Sequence, residues 1–371
     1  MATQNGGNPI EPYRIGIMVD MPGYPGGSDM FPEAVRFAFE EAHANRLIDR
    51  RVECVLREYL GQPWGSGLSN RDAYVDLVRN ERVLAIAGPF TTDNCMALPE
   101  ITERERVPVF TICGTYKFGG PYCFNVSNGN LADEPAYIAA WLAASGHKRI
   151  AVLRDYPSKI GMEYHRFLEY AAQLYGIRII ATANTAPTPE IDDLAATLQS
   201  LREQKPDALV YLGFGAVCRL INVGLKKIDW WPPRIMTTAF VSATLNRQCA
   251  LDIDGWHGID QYDERNTRFR DMLARYQQAK GRAMVPNSLT STGYDIGRCL
   301  AIALSRMEIA TPEAVVDALE TIRMLPAMTG GPNTYISFGH YDHRGFKGRD
   351  YLCVRRSVNG ATEFVPFELP A

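Results

Sequence analysis

The sequence lacks the features that mark several classes of protein. Its 371 residues contain no apolar run near the roughly 20 residues that a membrane-spanning helix needs, and runs such as 107–113 are far shorter. Basic residues are not gathered into a run, and 39 Lys and Arg against 42 Asp and Glu leave a net charge of −3. A nucleic acid is therefore not expected as a partner.

Signature sequences of catalysis are also missing. The chain has no GxSxG nucleophile elbow, no GxxxxGK[ST] phosphate loop and no HExxH zinc motif. Each of these motifs places a nucleophile, a phosphate cradle or a metal ligand at a fixed spacing. Without them, nothing in the sequence argues for an enzyme, and neither a cofactor nor a metal is expected.

Two short segments resemble binding motifs only in part. Residues 213–218 (GFGAVC) follow a predicted strand as a dinucleotide fingerprint would, but Cys218 stands where the third glycine is needed. Residues 340–343 (HYDH) could ligate a metal, yet no further ligand is near in sequence. An ordinary strand-to-helix turn and a polar hairpin turn are the better interpretations.

The cysteines and the N-terminus bear on the compartment. The eight cysteines form no CxxC pair and lack the density of a disulfide framework, which favours free thiols in a reducing compartment. Residues 1–12 are polar and carry neither the basic start nor the apolar stretch of about 7–15 residues that a secretory signal requires. The cysteines favour a cytoplasmic location, and the N-terminus indicates either that location or a start from which a signal has been removed.

Short apolar strands alternate with amphipathic helices through most of the chain. Hydrophobic residues make up 46% of the sequence, enough for a large core. The alternation predicts strands at 14–19, 51–58, 83–88, 107–113, 149–155, 177–184, 208–213 and 234–238. Helices are predicted between them and at 266–280, 288–307 and 312–323, with further strands at 334–338 and 351–356. This pattern predicts an α/β protein with two doubly wound parallel lobes.

The turns that follow the predicted strands carry hydroxyl groups. Residues 88–93 (GPFTTD) and 111–116 (TICGTY) follow neighbouring strands. In open parallel sheets, ligands bind beyond the carboxyl ends of the strands, so two such turns could offer hydroxyls and amides to one ligand oxygen. Each threonine could equally be an ordinary helix N-cap.

Five segments, in their order and spacing, resemble one known family. The chain is similar to the type I periplasmic solute-binding proteins of the leucine/isoleucine/valine and amide/urea group over residues 13–367. The segments are residues 26–44 (GGSDMFPEAVRFAFEEAHA), 76–92 (DLVRNERVLAIAGPFTT), 105–116 (ERVPVFTICGTY), 288–304 (SLTSTGYDIGRCLAIAL) and 328–346 (MTGGPNTYISFGHYDHRGF).

The resemblance implies a Venus-flytrap architecture: two Rossmann-like lobes joined by three crossovers and closing on a small ligand. Lobe 1 would comprise residues 13–130 and 259–339, and lobe 2 residues 131–258 and 340–371, with a flexible N-terminus at 1–12. Carried over from the family, the implied ligand-binding residues are Thr92, Cys113, Gly114, Thr115, Tyr156, Phe214, Thr238 and Ala239. Ile160 stands where the amino-acid binders place a tyrosine.

Two positions depart from the amino-acid binders of that family. Those proteins hold the ligand ammonium with acids where this chain has Ala239 and Asn130. Burying an ammonium without a counter-charge costs several kcal/mol. A zwitterionic amino acid is therefore disfavoured unless Asp133 or Asp155 supplies the charge, and a neutral amide or an organic acid is preferred.

The resemblance implies a solute-binding protein that is the substrate-binding component of an ABC importer. Its partner would be an ABC permease, and it would contact a membrane only indirectly, through that permease. The implied ligand is an amide, a carboxylate or a molecule like a branched-chain amino acid. The alternative is a cytoplasmic ligand sensor of the amide-sensing type, which signals lobe closure to a regulatory protein. By family the protein would be periplasmic, whereas its N-terminus and cysteines favour the cytoplasm.

Overall fold

The computed structural model describes residues 11–22, 27–348 and 350–367. Residues 1–10 of the predicted flexible N-terminal segment lie outside this part of the chain. The strands are β1 Tyr13–Val19, β2 Val52–Glu58, β3 Ala85–Ala87, β4 Val109–Thr111, β5 Cys123–Asn125, β6 Arg149–Asp155, β7 Arg178–Thr185, β8 Ala208–Leu212, β9 Arg234–Met236, β10 His257–Asp260, β11 Leu325–Pro326, β12 Tyr335–Ile336, β13 Phe346–Lys347, β14 Cys353–Val358 and β15 Ala361–Val365.

The helices lie between these strands and in a late group of three. They are α1 Gly27–Ala44, α2 Leu68–Arg79, α3 Thr92–Cys95, α4 Pro99–Glu105, α5 Asp133–Ala144, α6 Lys159–Leu174, α7 Ile191–Glu203, α8 Cys218–Lys227, α9 Arg247–Asp252, α10 Thr267–Lys280, α11 Ser288–Arg306 and α12 Pro312–Leu319. A 3-10 helix covers Thr238–Thr244. Within the described residues, no helix is long and apolar enough to cross a membrane.

The strands form two main sheets, one in each lobe. The first has the order β2-β1-β3-β4-β5 and is parallel throughout. The second has the order β15-β14-β10-β9-β8-β6-β7, and only β14 and β15 run antiparallel to their neighbours. The chain passes between the lobes after β5, after β10 and after β13. These features confirm the predicted α/β class, the two doubly wound lobes and the three crossovers.

The late helices pack on the first lobe. Helix α11 lies so close to α1 that a Cβ on Gly293 would stand 2.8 Å from the Phe31 carbonyl oxygen, and one on Gly297 would stand 2.7 Å from the Ala38 Cβ. The ring of Tyr276 in α10 meets Phe37 edge-on, with centroids 5.0 Å apart. Residues from both ends of the chain therefore share one core.

Two segments lie in the other lobe from the one predicted. Residues 259–260 belong to β10, which pairs with β9 and β14 in the second sheet. Residues 346–347 form β13, which pairs with β12 in a small three-stranded sheet beside the first lobe, and Arg344 bridges to Asn125. Strand pairing thus moves the second crossover past 260 and the third past 347, correcting the predicted boundaries at 259 and 340.

Candidate functional site

A cleft lies between the two lobes at the carboxyl ends of their strands. Its empty space, open solvent included, is about 700 Å³. The first-lobe wall includes Phe90, Thr91, Thr92, Ile112, Gly114 and Leu289. The second-lobe wall includes Ile160, Tyr164, Gly213, Phe214, Thr238 and Ala239, and Asn128 and Leu131 come from the first crossover. All of these lining residues are uncharged.

Asp20 shapes the first-lobe wall. This buried residue follows β1, and its carboxylate accepts hydrogen bonds from the backbone N–H groups of Phe90 and Thr91, both at 3.0 Å. It also accepts one from the Asn94 side chain at 2.7 Å. Gly88 begins this turn with φ +90°, and a Cβ there would lie 2.2 Å from the Met18 carbonyl oxygen. The turn is therefore fixed by one carboxylate and one glycine.

Asp155 plays the equivalent part in the second lobe. It ends β6, and its carboxylate accepts hydrogen bonds from the Tyr211 hydroxyl and the Phe214 backbone N–H, each at 2.8 Å. Burial raises the pKa of Asp155 to about 6, although these hydrogen bonds act in the opposite direction. In both lobes, an acid at the end of one strand forms hydrogen bonds to the turn that follows the neighbouring strand of the same sheet.

Two hydrogen-bond donors of the first-lobe side are available to a ligand. The Thr92 hydroxyl oxygen accepts a hydrogen bond from the Gly114 backbone N–H at 3.2 Å, which leaves the hydroxyl proton free to donate. The Asn128 side-chain nitrogen is buried and has no hydrogen-bond partner among the described residues. A carbonyl oxygen in the cleft would satisfy either group.

Glu134 lies directly beneath the second-lobe wall. Its side chain is fully buried, and its carboxylate accepts hydrogen bonds from the Tyr164 hydroxyl at 2.5 Å and the Thr238 hydroxyl at 3.1 Å. The Thr238 and Asn130 backbone N–H groups donate at 2.6 and 2.7 Å. Burial raises the pKa of Glu134 to about 7 against these four bonds. Gly129 makes room for this cluster, since a Cβ there would lie 2.2 Å from a Glu134 oxygen.

The two lobes also touch beside the cleft, through α6. Arg166 donates a hydrogen bond to the Tyr116 hydroxyl at 3.0 Å, and the Tyr116 ring meets Phe167 edge-on at 5.9 Å. Glu163 faces Thr115 at 3.4 Å and Lys117 at 3.5 Å. These contacts hold the lobes together around the cleft.

At the hinge, the first and second crossovers are bonded to each other. The Gln261 side chain accepts a hydrogen bond from the Gly129 backbone N–H at 2.7 Å and donates one to the Ser127 carbonyl at 2.9 Å. Gln261 is buried, so these bonds are protected from water. These two hydrogen bonds hold the first and second crossover segments side by side where they connect the lobes.

The structure divides the predicted site residues into two groups. Those that line the cleft are Thr92, Gly114, Phe214, Thr238 and Ala239. The other three, Cys113, Thr115 and Tyr156, do not line it. Their direct contact with a ligand is the part of the predicted site that the geometry does not support.

Each of these three side chains points elsewhere for a physical reason. Successive residues of an extended chain face opposite ways, so Ile112 and Gly114 face the cleft while Cys113 packs in the core on the other face of the first sheet. Thr115 is used in the lobe contact with Glu163. Tyr156 is 48% exposed at the turn between β6 and α6, and Ile160 lines the cleft instead.

The sequence analysis missed two polar lining residues. Tyr164 is four residues after Ile160 in α6 and therefore lies on the same helix face, a spacing that could have identified it. Asn128 follows β5, a three-residue strand that the sequence analysis did not predict. Asn130 does not line the cleft; its side chain caps α5 by accepting from the Ala132 and Asp133 backbone N–H groups at 2.8 and 3.1 Å.

The partial metal motif is accounted for by local contacts. His343 stacks on Phe124 at 3.9 Å and lies 2.9 Å from a Glu320 oxygen, and His340 is 3.2 Å from the other oxygen. In the part of the chain that the structure describes, no group of three or more His, Cys, Asp or Glu is arranged to hold a metal.

A known protein family matches most of the chain. A family model described as periplasmic binding protein matches residues 12–349, which is most of the chain. The chain belongs to the periplasmic binding protein family. Proteins of this family bind small molecules and work with ABC permeases. No curated protein sequence matches this periplasmic binding protein significantly.

Solved structures share its two-lobe fold at low sequence identity. A leucine-binding protein LivK from Thermotoga maritima is 17% identical with a TM-score of 0.76, covering 95% of this chain and 98% of its own. The branched-chain amino acid binding protein LivJ from Streptococcus pneumoniae, in complex with isoleucine, is 17% identical with a TM-score of 0.79, covering 96% and 99%. A type 1 periplasmic binding protein from Bordetella pertussis is 16% identical with a TM-score of 0.81, covering 96% and 100%. At this identity the likeness supports the fold, and the ligand must be inferred from the cleft.

Proposed function

We propose that this periplasmic binding protein captures one small organic ligand, an amide, a carboxylate or a molecule like a branched-chain amino acid, in the cleft between its lobes. It would act without catalysis, as the substrate-binding component of an ABC importer. The observation that carries the proposal is the cleft itself. Both lobes contribute apolar side chains and a few hydroxyl and amide groups, which is the composition of a small-molecule site.

The lining favours a compact ligand with an apolar body and a polar head. Phe90, Ile112, Leu131, Ile160 and Leu289 supply the apolar surface. Since none of the described residues that line the cleft is charged, a fully charged head group would need compensation from groups behind the wall. We therefore propose Thr92, Gly114, Phe214, Thr238 and Ala239, with Asn128 and Tyr164, as the ligand contacts.

A thermal-shift screen tests the proposal. The panel would contain amides, urea derivatives, aliphatic and aromatic carboxylates, and amino acids. A ligand at 100 times its dissociation constant adds about 2.7 kcal/mol to the free energy of unfolding, which such a screen detects. We expect at least one of these classes to stabilise the protein, and a flat result across the panel would contradict the proposed ligand class.

A second function, a cytoplasmic sensor that signals lobe closure to a regulatory protein, is favoured by the cysteines. All eight are free in the structure, and six of them are buried. A protein with so many unpaired thiols suits a reducing compartment. Fractionation of native cells separates the two functions, since a periplasmic pool supports the importer and a cytoplasmic pool supports the sensor.

A further inference from the structure

The protons of two cleft hydroxyls are directed away from the ligand. Tyr164 and Thr238 both line the cleft, and both donate to the same Glu134 oxygen, at 2.5 and 3.1 Å. A hydroxyl group has one proton, so once that proton is given to Glu134, the oxygen is left only with lone pairs. Toward the cleft, the two residues therefore act as hydrogen-bond acceptors.

Glu134 cannot contact a ligand itself. Its side chain is fully buried, and four donors already converge on its carboxylate: the two hydroxyls and the backbone N–H groups of Thr238 and Asn130. A protonated carboxyl would offer fewer lone pairs to these donors, so all four hydrogen bonds are made to the charged carboxylate, the form that prevails above its pKa of about 7. The residue acts on the cleft through Tyr164 and Thr238.

The first-lobe side of the cleft has the opposite character. The Thr92 hydroxyl and the Asn128 amide nitrogen are donors. A ligand carboxylate placed at the Tyr164 and Thr238 oxygens would meet lone pairs and lie close to the buried charge of Glu134. An N–H group placed there would meet acceptors, and the charge behind them would strengthen its hydrogen bonds.

We propose that Glu134 is a positioning residue that makes the second-lobe wall select ligands with N–H donors, either a primary amide or an ammonium group, over the corresponding carboxylate. The proposal rests on the proposed function and narrows its ligand class. It also assigns the counter-charge that the sequence analysis sought in Asp133 or Asp155. Neither of those residues lines the cleft: Asp133 bonds the Tyr351 hydroxyl, and Asp155 bonds Tyr211 and Phe214.

The test compares two probes that differ only in the head group, 4-methylpentanamide and 4-methylpentanoate. Calorimetric titration at pH 8 gives the ratio of their dissociation constants for the wild type, Glu134→Gln and Asp133→Asn. We expect the wild type to bind the amide about tenfold more tightly or better, a difference of about 1.4 kcal/mol. In Glu134→Gln the ratio should fall toward one, because a Gln cannot accept from all four donors and a hydroxyl proton is released toward the cleft.

Asp133→Asn is the matched control. It removes the same charge from the adjacent position of the same helix, but Asp133 contacts no cleft hydroxyl, so the wild-type ratio should be kept. If the wild type binds the probes and Glu134→Gln keeps the wild-type ratio, the proposal is overturned while the proposed function stands. If neither probe binds the wild type, the proposed function fails for this ligand class, and the proposal fails with it.

A second pair of variants keeps the proposal testable if Glu134→Gln does not fold. Thr238→Val removes one acceptor from the wall at nearly constant shape, and Thr238→Ser keeps the hydroxyl. We expect the preference for the amide to fall in Thr238→Val and to be preserved in Thr238→Ser. An unchanged preference in Thr238→Val would contradict the assigned direction of the hydroxyl protons.

Discussion

Replacing Thr92 with Val removes one hydroxyl oxygen at nearly constant volume. Thr92 is the first residue of α3, is 6% exposed and lines the cleft. Its oxygen accepts a hydrogen bond from the Gly114 backbone N–H, itself part of the cleft wall, at 3.2 Å. The substitution therefore has two separable effects, one on folding stability and one on ligand affinity.

The size of each effect follows from the hydrogen bonds lost. In Thr92→Val the buried Gly114 N–H has no acceptor, which costs about 1–3 kcal/mol of folding stability. For a unit the size of one lobe, each kcal/mol lowers the melting temperature by roughly 2–4 °C. The lost donor to the ligand costs a similar amount, which is roughly a 5- to 150-fold rise in the dissociation constant.

Thermal melting and calorimetric titration with the screen's tightest ligand measure the two effects. Thr92→Ser is the control, because it keeps the oxygen and loses only a methyl group. We expect Thr92→Ser to remain within a few-fold of the wild type in affinity. Wild-type binding by Thr92→Val would exclude Thr92 from the site, and an equal loss in both variants would refute the role of the hydroxyl.

Three further predictions concern titration, lobe contact and thiols. Burial raises the pKa of Glu134 to about 7 in the folded protein, above the ordinary value of 4.5 that applies to the unfolded chain. The protonated carboxyl therefore adds its full stabilisation to the fold below about pH 4.5, and this stabilisation is lost as the pH rises through about 7. Urea unfolding should show wild type losing about 3 kcal/mol relative to Glu134→Gln between about pH 4.5 and 8; parallel curves would contradict this. Arg166→Ala, which loses the bond to Tyr116, should speed ligand dissociation in stopped-flow mixing without lowering the melting temperature. After denaturation without reductant, all eight cysteines should titrate as free thiols, and a disulfide seen by mass spectrometry would indicate the periplasm instead.

Most of the fold could be predicted because the local spacing of apolar residues indicates each long strand or helix. The alternation of apolar strands and amphipathic helices identified both sheets, and the late helices were located by their length. The analysis missed the short strands β5, β10, β11, β13 and β15 and the short helix α9, because so few residues carry little periodicity. The lobe boundaries depend on which strand pairs with which, and that information is not local.

The same contrast between local and non-local information applies to the candidate site. The rule that ligands bind at strand ends pointed to the turns at 88–93 and 111–116, and the family resemblance added Phe214, Thr238 and Ala239. Of the residues predicted in this way, Thr92, Gly114, Phe214, Thr238 and Ala239 line the cleft. The direction of a side chain at such a turn depends on the backbone, so the sequence did not show that Cys113, Thr115 and Tyr156 lie outside the cleft lining.

The acid behind the wall could not be found by examining lining positions. Glu134 is the second residue of α5. It meets Tyr164 and Thr238 only after α5, α6 and the 3-10 helix have packed together. Sequence separations of 30 and 104 residues divide it from these partners. Its importance therefore becomes visible only in three dimensions.

The measurement that tests the central claim most directly is a calorimetric titration of wild type and Ala239→Phe with the screen's tightest ligand. Ala239 lines the cleft on the second-lobe wall, and a phenyl ring there fills the space a ligand would occupy. We predict one ligand per chain for the wild type, and no binding by Ala239→Phe at a preserved circular dichroism spectrum. Equal binding by both proteins would contradict the account, because the ligand would then lie outside the cleft.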